Sequence, residues 1–503
     1  MKRVKRYCLA VLIVPALIAP FGVFAQTDAR RAAAFPDLAA DPRAGELAGR
    51  AADYRWQDLI DIALWASGAS APNQTEPSYQ EIIRTAAEEL RRSPELPRDA
   101  RERGEYVLAF THRTFLKRYV ENQTRLDELL TSGRYNCVSS AVLYAIFALA
   151  ADLDVQGVMT RDHAFATVNT GTEIIDVETT NPYGFDPGSR REFHDAFGRL
   201  TGFSYVPSRN YRDRTGISLL ELCSLILSNR IADLERRNRF EEAVPLAINR
   251  AALLANRRDP VSSPFFQDGE KDLLDRLYNY GGWLINSGRE IDALAWAEYA
   301  GARYSGGDSG EKRWRELQFM ALNNYAARLM RANRIADARA ALDQYGAVLA
   351  PPDYAGLDSL LLDAELVTMA NGLGKGGDIA GVLAALDTAA RESRLPAARI
   401  SELRNNVLIN EGNRLAQTPA GARAAIAFIE TAIARYGASA RLNEALRVHR
   451  QNRIAELHNG FARLFNRGDY GEALSHIQEA LAEFPDNRQL QQDLSAAERA
   501  SRR

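Results

Sequence analysis

Ser132–Leu153 reads SGRYNCVSSAVLYAIFALAADL, and the way this stretch folds fixes what surrounds it. Gly133 and Asn136 favour turns and caps, and an apolar run of good helix formers follows. The pattern predicts a helix opening at Cys137 with Asn136 as its N-cap. Beyond the helix the period shortens. DVQGVMT, HAFATVNT and TEIIDVETT are rich in β-branched residues, alternate, and are separated by turn residues, which predicts three short strands. NPYGFDPGSR is then a loop. Upstream, WQDLIDIALWASG, SYQEIIRTAAEELRRS and GEYVLAFTHRTFLKRYVENQTRLDELL carry helical spacing. Helices, one central apolar helix and a few strands make this part of the chain α+β.

The chain has 503 residues, which allows roughly two to four domains. Its 63 Lys and Arg against 65 Asp and Glu leave a net charge of −2, so nothing global points to nucleic acid or an anionic surface. MKRVKR is a basic start, YCLAVLIVPALIAPFG an apolar stretch broken by Pro15 and Pro20, and VFA supplies small residues before Gln26. This predicts a signal peptide over 1–25 and an exported protein, periplasmic or secreted. Membrane contact is expected only if that segment is retained. Of the three cysteines, Cys8 lies inside the apolar stretch, leaving Cys137 and Cys223. Cys223, in SLLELCSLILSN, reads as a buried helix position. Two free thiols are expected.

From Ile217 onward the pattern is helical and repeats. In FARLFNRGDYGEALSHIQEALAEFP, Gly468, Tyr470, Ala473, Ile477, Ala480 and Pro485 alternate small and large residues as two packed helices require. Weaker copies centre on Ala243, Ala293, Ala338, Val382 and Ala425, spaced roughly 43 to 50 residues apart. NRQLQQDLSAAERASRR has a single apolar stripe, Leu490, Leu494 and Ala497, which suits a terminal cap. The expected organisation is a signal peptide, 1–25; a helical lead segment, 26–75; an α+β domain, 76–216; an all-α solenoid of helical hairpins, 217–486; and a capping helix, 487–503.

A thiol nucleophile needs help to ionise, a base, and a group that orients the base. Helix-terminal N–H groups before the Cys137 run favour a thiolate there and suit an oxyanion. Of the six histidines, His449, His458 and His476 fall in the repeats. His112 sits mid-helix among aromatics and reads as structural, and His194 lies beyond the strands. His163 opens the second strand. If Thr170–Gly171 is a two-residue hairpin turn, paired residue numbers sum to 341, so His163 faces Glu178 and Asp176 is its diagonal neighbour. Either carboxylate suits an orienting role, and a slip of one residue removes both. Gln123 and Tyr135 are the candidates for a further oxyanion donor.

GRYNCVSSAVLY, RDHAF and EIIDVETTNPYGF, in this order, resemble the transglutaminase-like superfamily, a branch of the papain-like fold. The resemblance covers about Leu116–Tyr205. It implies Cys137 as nucleophile, His163 as base and Asp176 as orienting carboxylate. Where the family often has Trp two residues after the histidine, this chain has Phe165. The repeats resemble tetratricopeptide repeats, with a longer period than the usual ~34 residues.

The expectation is an exported cysteine-dependent acyl-transfer enzyme (a peptidase, amidase or transamidase hydrolysing or transferring an acyl group) whose repeats bind a protein or peptide. The alternative is a non-enzymatic envelope scaffold in which the transglutaminase-like part is inert. No cofactor, metal or nucleic acid is expected. There is no close Cys/His pair at ligand spacing and no Walker-type loop, and the glycine-rich Gly372–Asp378 lies between repeat helices.

Overall fold

The computed structural model describes residues 35–49, 54–69, 77–189, 214–255, 269–373, 378–418 and 421–502. The expected signal peptide and His194 lie outside the described residues. The chain is mostly helical, with nineteen helices and a small sheet among the described residues. It divides into two compact units, one running to Ala321 and the other from Leu322.

The first unit is built around one helix. α1 (Pro42–Gly49), α2 (Trp56–Ser67), α3 (Tyr79–Arg92) and α4 (Ala100–Thr114) precede strand β1 (Arg118–Tyr119), α5 (Leu126–Ser132) and β2 (Arg134–Tyr135). α6, Cys137–Ala150, follows directly. Apart from Cys137 and Leu149 every residue of α6 is buried, because beyond the serines of its first turn the helix is apolar on every side. Helices α2 to α5 surround it, with β3 (Asp154–Met159), β4 (Ala164–Asn169) and, further along the chain, α7 (Leu219–Arg236).

The three expected strands are β3, β4 and β5 (Ile174–Val177); a fourth, β6 (Thr215–Ile217), joins them. The sheet is antiparallel throughout, in the order β5-β4-β3-β6. Ala164, Ala166 and Val168 of β4 and Ile175 and Val177 of β5 enter the common core with α6; the alternate residues point to the other face. The expected boundary at 216/217 falls inside this unit. β6 pairs with β3, and Leu220, Leu222, Ile226 and Leu227 of α7 sit in the same core cluster as α6. The lead segment is likewise not separate, since Leu59, Ile60 and Ile62 of α2 belong to that cluster.

α8 (Phe240–Leu254), α9 (Gly269–Asn286), α10 (Glu290–Arg303) and α11 (Gly307–Arg331) continue the chain. The second unit adds α12 (Ile335–Tyr345), α13 (Pro351–Gly372), α14 (Ile379–Arg391), α15 (Ala397–Ala416), α16 (Gly421–Tyr436), α17 (Ala440–Arg467), α18 (Tyr470–Glu483) and α19 (Arg488–Ser501). No strand occurs among its described residues. Its core is a series of small clusters, one over α13–α15, one over α15–α17 and one over α17–α19. Helices α13 to α19 therefore pack on near neighbours in sequence.

One turn recurs between paired helices. Asn238, Gly288, Asn333 and Gly468 adopt positive φ. The next residue's N–H then reaches back to a leucine carbonyl five residues earlier: Arg239 to Leu234, Arg289 to Leu284 and Arg334 to Leu329, each at 2.9 Å, and Asp469 to Leu464 at 3.1 Å. This is the Schellman closure, which satisfies a helix's last carbonyls and needs Gly or Asn at the left-handed position. The three arginines also pair three residues on, with Glu242, Asp292 and Asp337. The sequence repeat is thus, locally, a repeated helix stop.

Candidate active site

The N-terminus of α6 is held by local chemistry. Asn136 Oδ1 accepts the Ser139 N–H at 3.0 Å, and Ser139 Oγ accepts the Asn136 N–H at 2.9 Å. This reciprocal capping box is tied to the preceding strap: Asn136 Nδ2 donates to the Glu121 carbonyl at 3.0 Å and Ser139 Oγ to the Gln123 carbonyl at 3.2 Å. The Ser140 N–H takes the Asn136 carbonyl. Of the first-turn donors, the Cys137 and Val138 N–H groups are left without an acceptor among the described residues. Cys137 is a free, half-buried thiol.

Two hairpins bring the other groups to the same end. Thr160 N–H donates to the His163 carbonyl at 2.9 Å, closing the β3–β4 turn and placing His163 immediately before β4. Glu178 follows β5 directly, and the end of β5 lies beside the start of β4 in an antiparallel pair. His163 Nε2 and Glu178 Oε2 are 2.6 Å apart. Glu178 is buried, at 4% exposure, and its second oxygen accepts the Thr180 N–H at 3.2 Å and the Thr180 hydroxyl at 2.7 Å. A buried carboxylate with three donors is satisfied as an anion.

The electrostatics agree. Burial by itself pushes the His163 pKa down; the charge of Glu178, then the Cys137 thiol, outweigh it and hold the imidazole well above the ordinary histidine value. Burial opposes the Glu178 charge too, and His163 with the Thr180 donors holds that carboxyl below the ordinary range. With Nε2 committed to Glu178, Nδ1 is the nitrogen left for the thiol.

Asp176, implied by the family resemblance as the orienting carboxylate, does not touch the imidazole. The guanidinium of Arg214 grips it through both oxygens, one bond measuring 2.7 Å. The reason lies in the hairpin register. Thr170 N–H bonds Glu173, so Gly171 and Thr172 are the turn residues, with Gly171 at φ 86°. Thr167 faces Asp176 and Ala166 faces Val177, so paired numbers sum to 343 and not 341. A shift of two keeps both carboxylates on the histidine's face but moves each two residues further from it along β4. Asp176 thereby comes to lie across from Thr167, and Glu178 is the carboxylate within reach of His163.

Phe165, which stands where the family often has Trp, is buried and stacks on the His163 ring, centroids 6.1 Å apart and planes at 25°. The Arg214 guanidinium lies over the Phe165 ring, 5.4 Å from its centroid. Asp176 thus supports the site through Arg214 and Phe165. Gly184 is a second residue that sequence reasoning did not single out. Glu178 N–H donates to its carbonyl at 2.8 Å, and a Cβ there would stand 1.9 Å from the Glu178 carbonyl oxygen. Only glycine lets the returning loop approach this closely.

Both candidate oxyanion donors are committed elsewhere. Gln123 Nε2 donates to the Arg125 and Arg134 carbonyls, each at 2.8 Å. Tyr135 is buried and donates to the Thr180 carbonyl at 3.0 Å. His112 is buried against the Thr179 carbonyl at 3.0 Å, and burial lowers its pKa to about 4. Cys223 is buried in α7, its thiol pushed up to about 12 by burial.

No group of His, Cys, Asp and Glu among the described residues is arranged to hold a metal ion. None of the described helices is long and apolar enough to cross a membrane. Comparison with protein-family models, curated proteins and solved structures returns no match for this chain.

Proposed function

We propose that the chain is an exported cysteine-dependent acyl-transfer enzyme of transglutaminase-like type, whose tetratricopeptide-like helices bind a protein or peptide. The observation that carries this reading is the His163–Glu178 contact at 2.6 Å beside a half-buried thiol at the first position of α6. A structural cysteine needs no clamped imidazole, whereas a nucleophile does.

In the reaction, His163 accepts the thiol proton and Cys137 Sγ attacks the carbonyl carbon of an amide, forming a C–S bond. The carbonyl pair moves onto oxygen as a tetrahedral anion. His163, held by Glu178, returns the proton to the departing nitrogen, the C–N bond breaks, and a thioester remains. Water or an amine, deprotonated by His163, then displaces the thiolate to give an acid or a new amide. The recurring Schellman turns and the neighbour-to-neighbour clusters of the second unit support the repeat reading. The basic and apolar start of the sequence supports export.

The test is iodoacetamide labelling across pH, read by peptide mass, on the wild type and His163→Ala. Cys137 should label at mildly acidic pH in the wild type and slow by at least about tenfold in His163→Ala. Equal labelling in the two proteins would leave the scaffold reading.

A further inference from the structure

The thiol reading leaves one chemical role unfilled. A tetrahedral anion formed on Cys137 needs donors aimed at its oxygen. The N–H groups of Cys137 and Val138 supply backbone donors, and both side chains that the sequence offered are spent on carbonyls. We infer that the Tyr119 hydroxyl is the side-chain donor of this oxyanion site, completing the proposed acyl-transfer machinery on which the inference rests.

The strap before α5 brings Tyr119 there. β1 and β2 pair in parallel with Tyr119 beside Tyr135, and Val120 N–H donates to the Tyr135 carbonyl at 2.7 Å. Cys137 is two residues further along that same strand-to-helix entry. The Tyr119 ring meets the Tyr135 ring edge-on, centroids 5.9 Å apart, which fixes its plane. Tyr135 turns its hydroxyl inward to Thr180, while Tyr119 stays half-buried and its hydroxyl meets no acceptor among the described residues. The Tyr119 hydroxyl is thus not spent on a protein carbonyl, as the Tyr135 hydroxyl and the Gln123 amide are.

The local charges keep that hydroxyl a donor. Burial first, then the Cys137 thiol, Glu121 and Glu178, all oppose a phenolate at Tyr119 and push its pKa up. The phenol therefore keeps its proton wherever His163 and Cys137 are at work. It stabilises the anion by a hydrogen bond, with no proton changing owner. The bond exists only while the carbonyl oxygen is charged and displaced toward it, so its contribution falls on the transition state and not on the resting thiol.

The experiment compares two reactions of the same sulfur in the full-length protein. Acetylation of Cys137 by p-nitrophenyl acetate passes through a tetrahedral anion; alkylation by iodoacetamide is a direct displacement and makes none. Tyr119→Phe keeps the ring against Tyr135 and removes only the hydroxyl. The inference expects Cys137 acetylation, read by peptide mass, to slow by about tenfold to a hundredfold or more, with alkylation unchanged and the same thermal midpoint. Equal rates of acetylation in the two proteins would overturn the Tyr119 role. So would equal slowing of both reactions, which would place Tyr119 with the thiol's environment and not the oxyanion. A wild-type Cys137 no more reactive than the denatured protein's thiols would instead sink the thiol site itself, and this outcome is distinguishable because it appears before any substitution at Tyr119.

Discussion

Replacing Glu178 with Gln changes the site by one atom's identity. In the wild type, the Nε2–H of His163 donates to Glu178 Oε2 at 2.6 Å, while the other oxygen takes the two Thr180 donors. In Glu178→Gln those Thr180 donors hold the amide oxygen in place, so the amide NH₂ must face His163. An NH₂ group cannot accept, so Nε2 must become the acceptor and the ring proton moves to Nδ1. That is the nitrogen needed to take the proton from Cys137. The wrong tautomer in a comparable triad costs on the order of 10⁴ in rate, about 5 kcal/mol of barrier at roughly 1.4 kcal/mol per decade. The ion pair is lost as well. A hydrogen bond to a charged group contributes about 1.5–3 kcal/mol, and both side chains are shielded, 17% and 5% exposed.

The pH dependence of that stability follows from the two directions of shift. His163 is raised above 6.5, so its contribution is complete below about pH 6.5 and fades as pH rises through the folded-state value. Glu178 is lowered below 4.5, so its contribution is complete above about pH 4.5 and fades as pH falls through the folded-state value. The difference in urea stability between wild type and Glu178→Gln should therefore be widest between about pH 4.5 and 6.5. Acetylation of Cys137 by p-nitrophenyl acetate, followed at pH 6 to 7 alongside urea unfolding at pH 5.5 and 8.5, measures both effects. An acetylation rate within threefold of wild type, or a stability gap that widens toward pH 8.5, would refute the assignment of Glu178 to His163.

Asp176→Asn should weaken the Arg214 grip and lower urea stability by about 1–2 kcal/mol, while Cys137 acetylation falls less than in Glu178→Gln; the opposite ranking would return Asp176 to the orienting role. Gly184→Ala should displace the Glu178 backbone, cost about 1–3 kcal/mol as an overpacked site, and slow Cys137 acetylation, checked by the same two assays. Cys223, with its thiol pushed up to about 12, should resist iodoacetamide at pH 8 until the protein is denatured, and peptide mass after native labelling checks this. A chain ending at Gly216 should lose its cooperative unfolding, because α7 contributes Leu220, Leu222, Ile226 and Leu227 to the core around α6; a sharp thermal transition seen by circular dichroism in that fragment would contradict it.

Short-range chemistry was written into the sequence because its partners are a few residues apart. Asn136 caps the helix that opens at Cys137, the change of period after it marks the strands, and His163 lies at the mouth of a hairpin. The repeated Gly or Asn before a charged residue marks where the repeat helices stop. The identity of the carboxylate on His163 was not determined in this way. It depends on whether the hairpin turns at Thr170–Gly171 or at Gly171–Thr172, conformations that the local sequence separates by little energy. A two-residue shift leaves every side chain on its own face, so burial patterns cannot report it. Arg214, whose grip holds Asp176, is far along the chain, and no local signal ties the two. The boundary at Ile217 failed for a related reason: α7 reads as one more repeat helix, and only packing against α6 shows that its apolar face completes the first core. Tyr119, Tyr135 and Gln123 are all polar groups near Cys137 in sequence. Which of them stays unspent on a carbonyl was decided by where the others found theirs, and only the folded chain sets those distances.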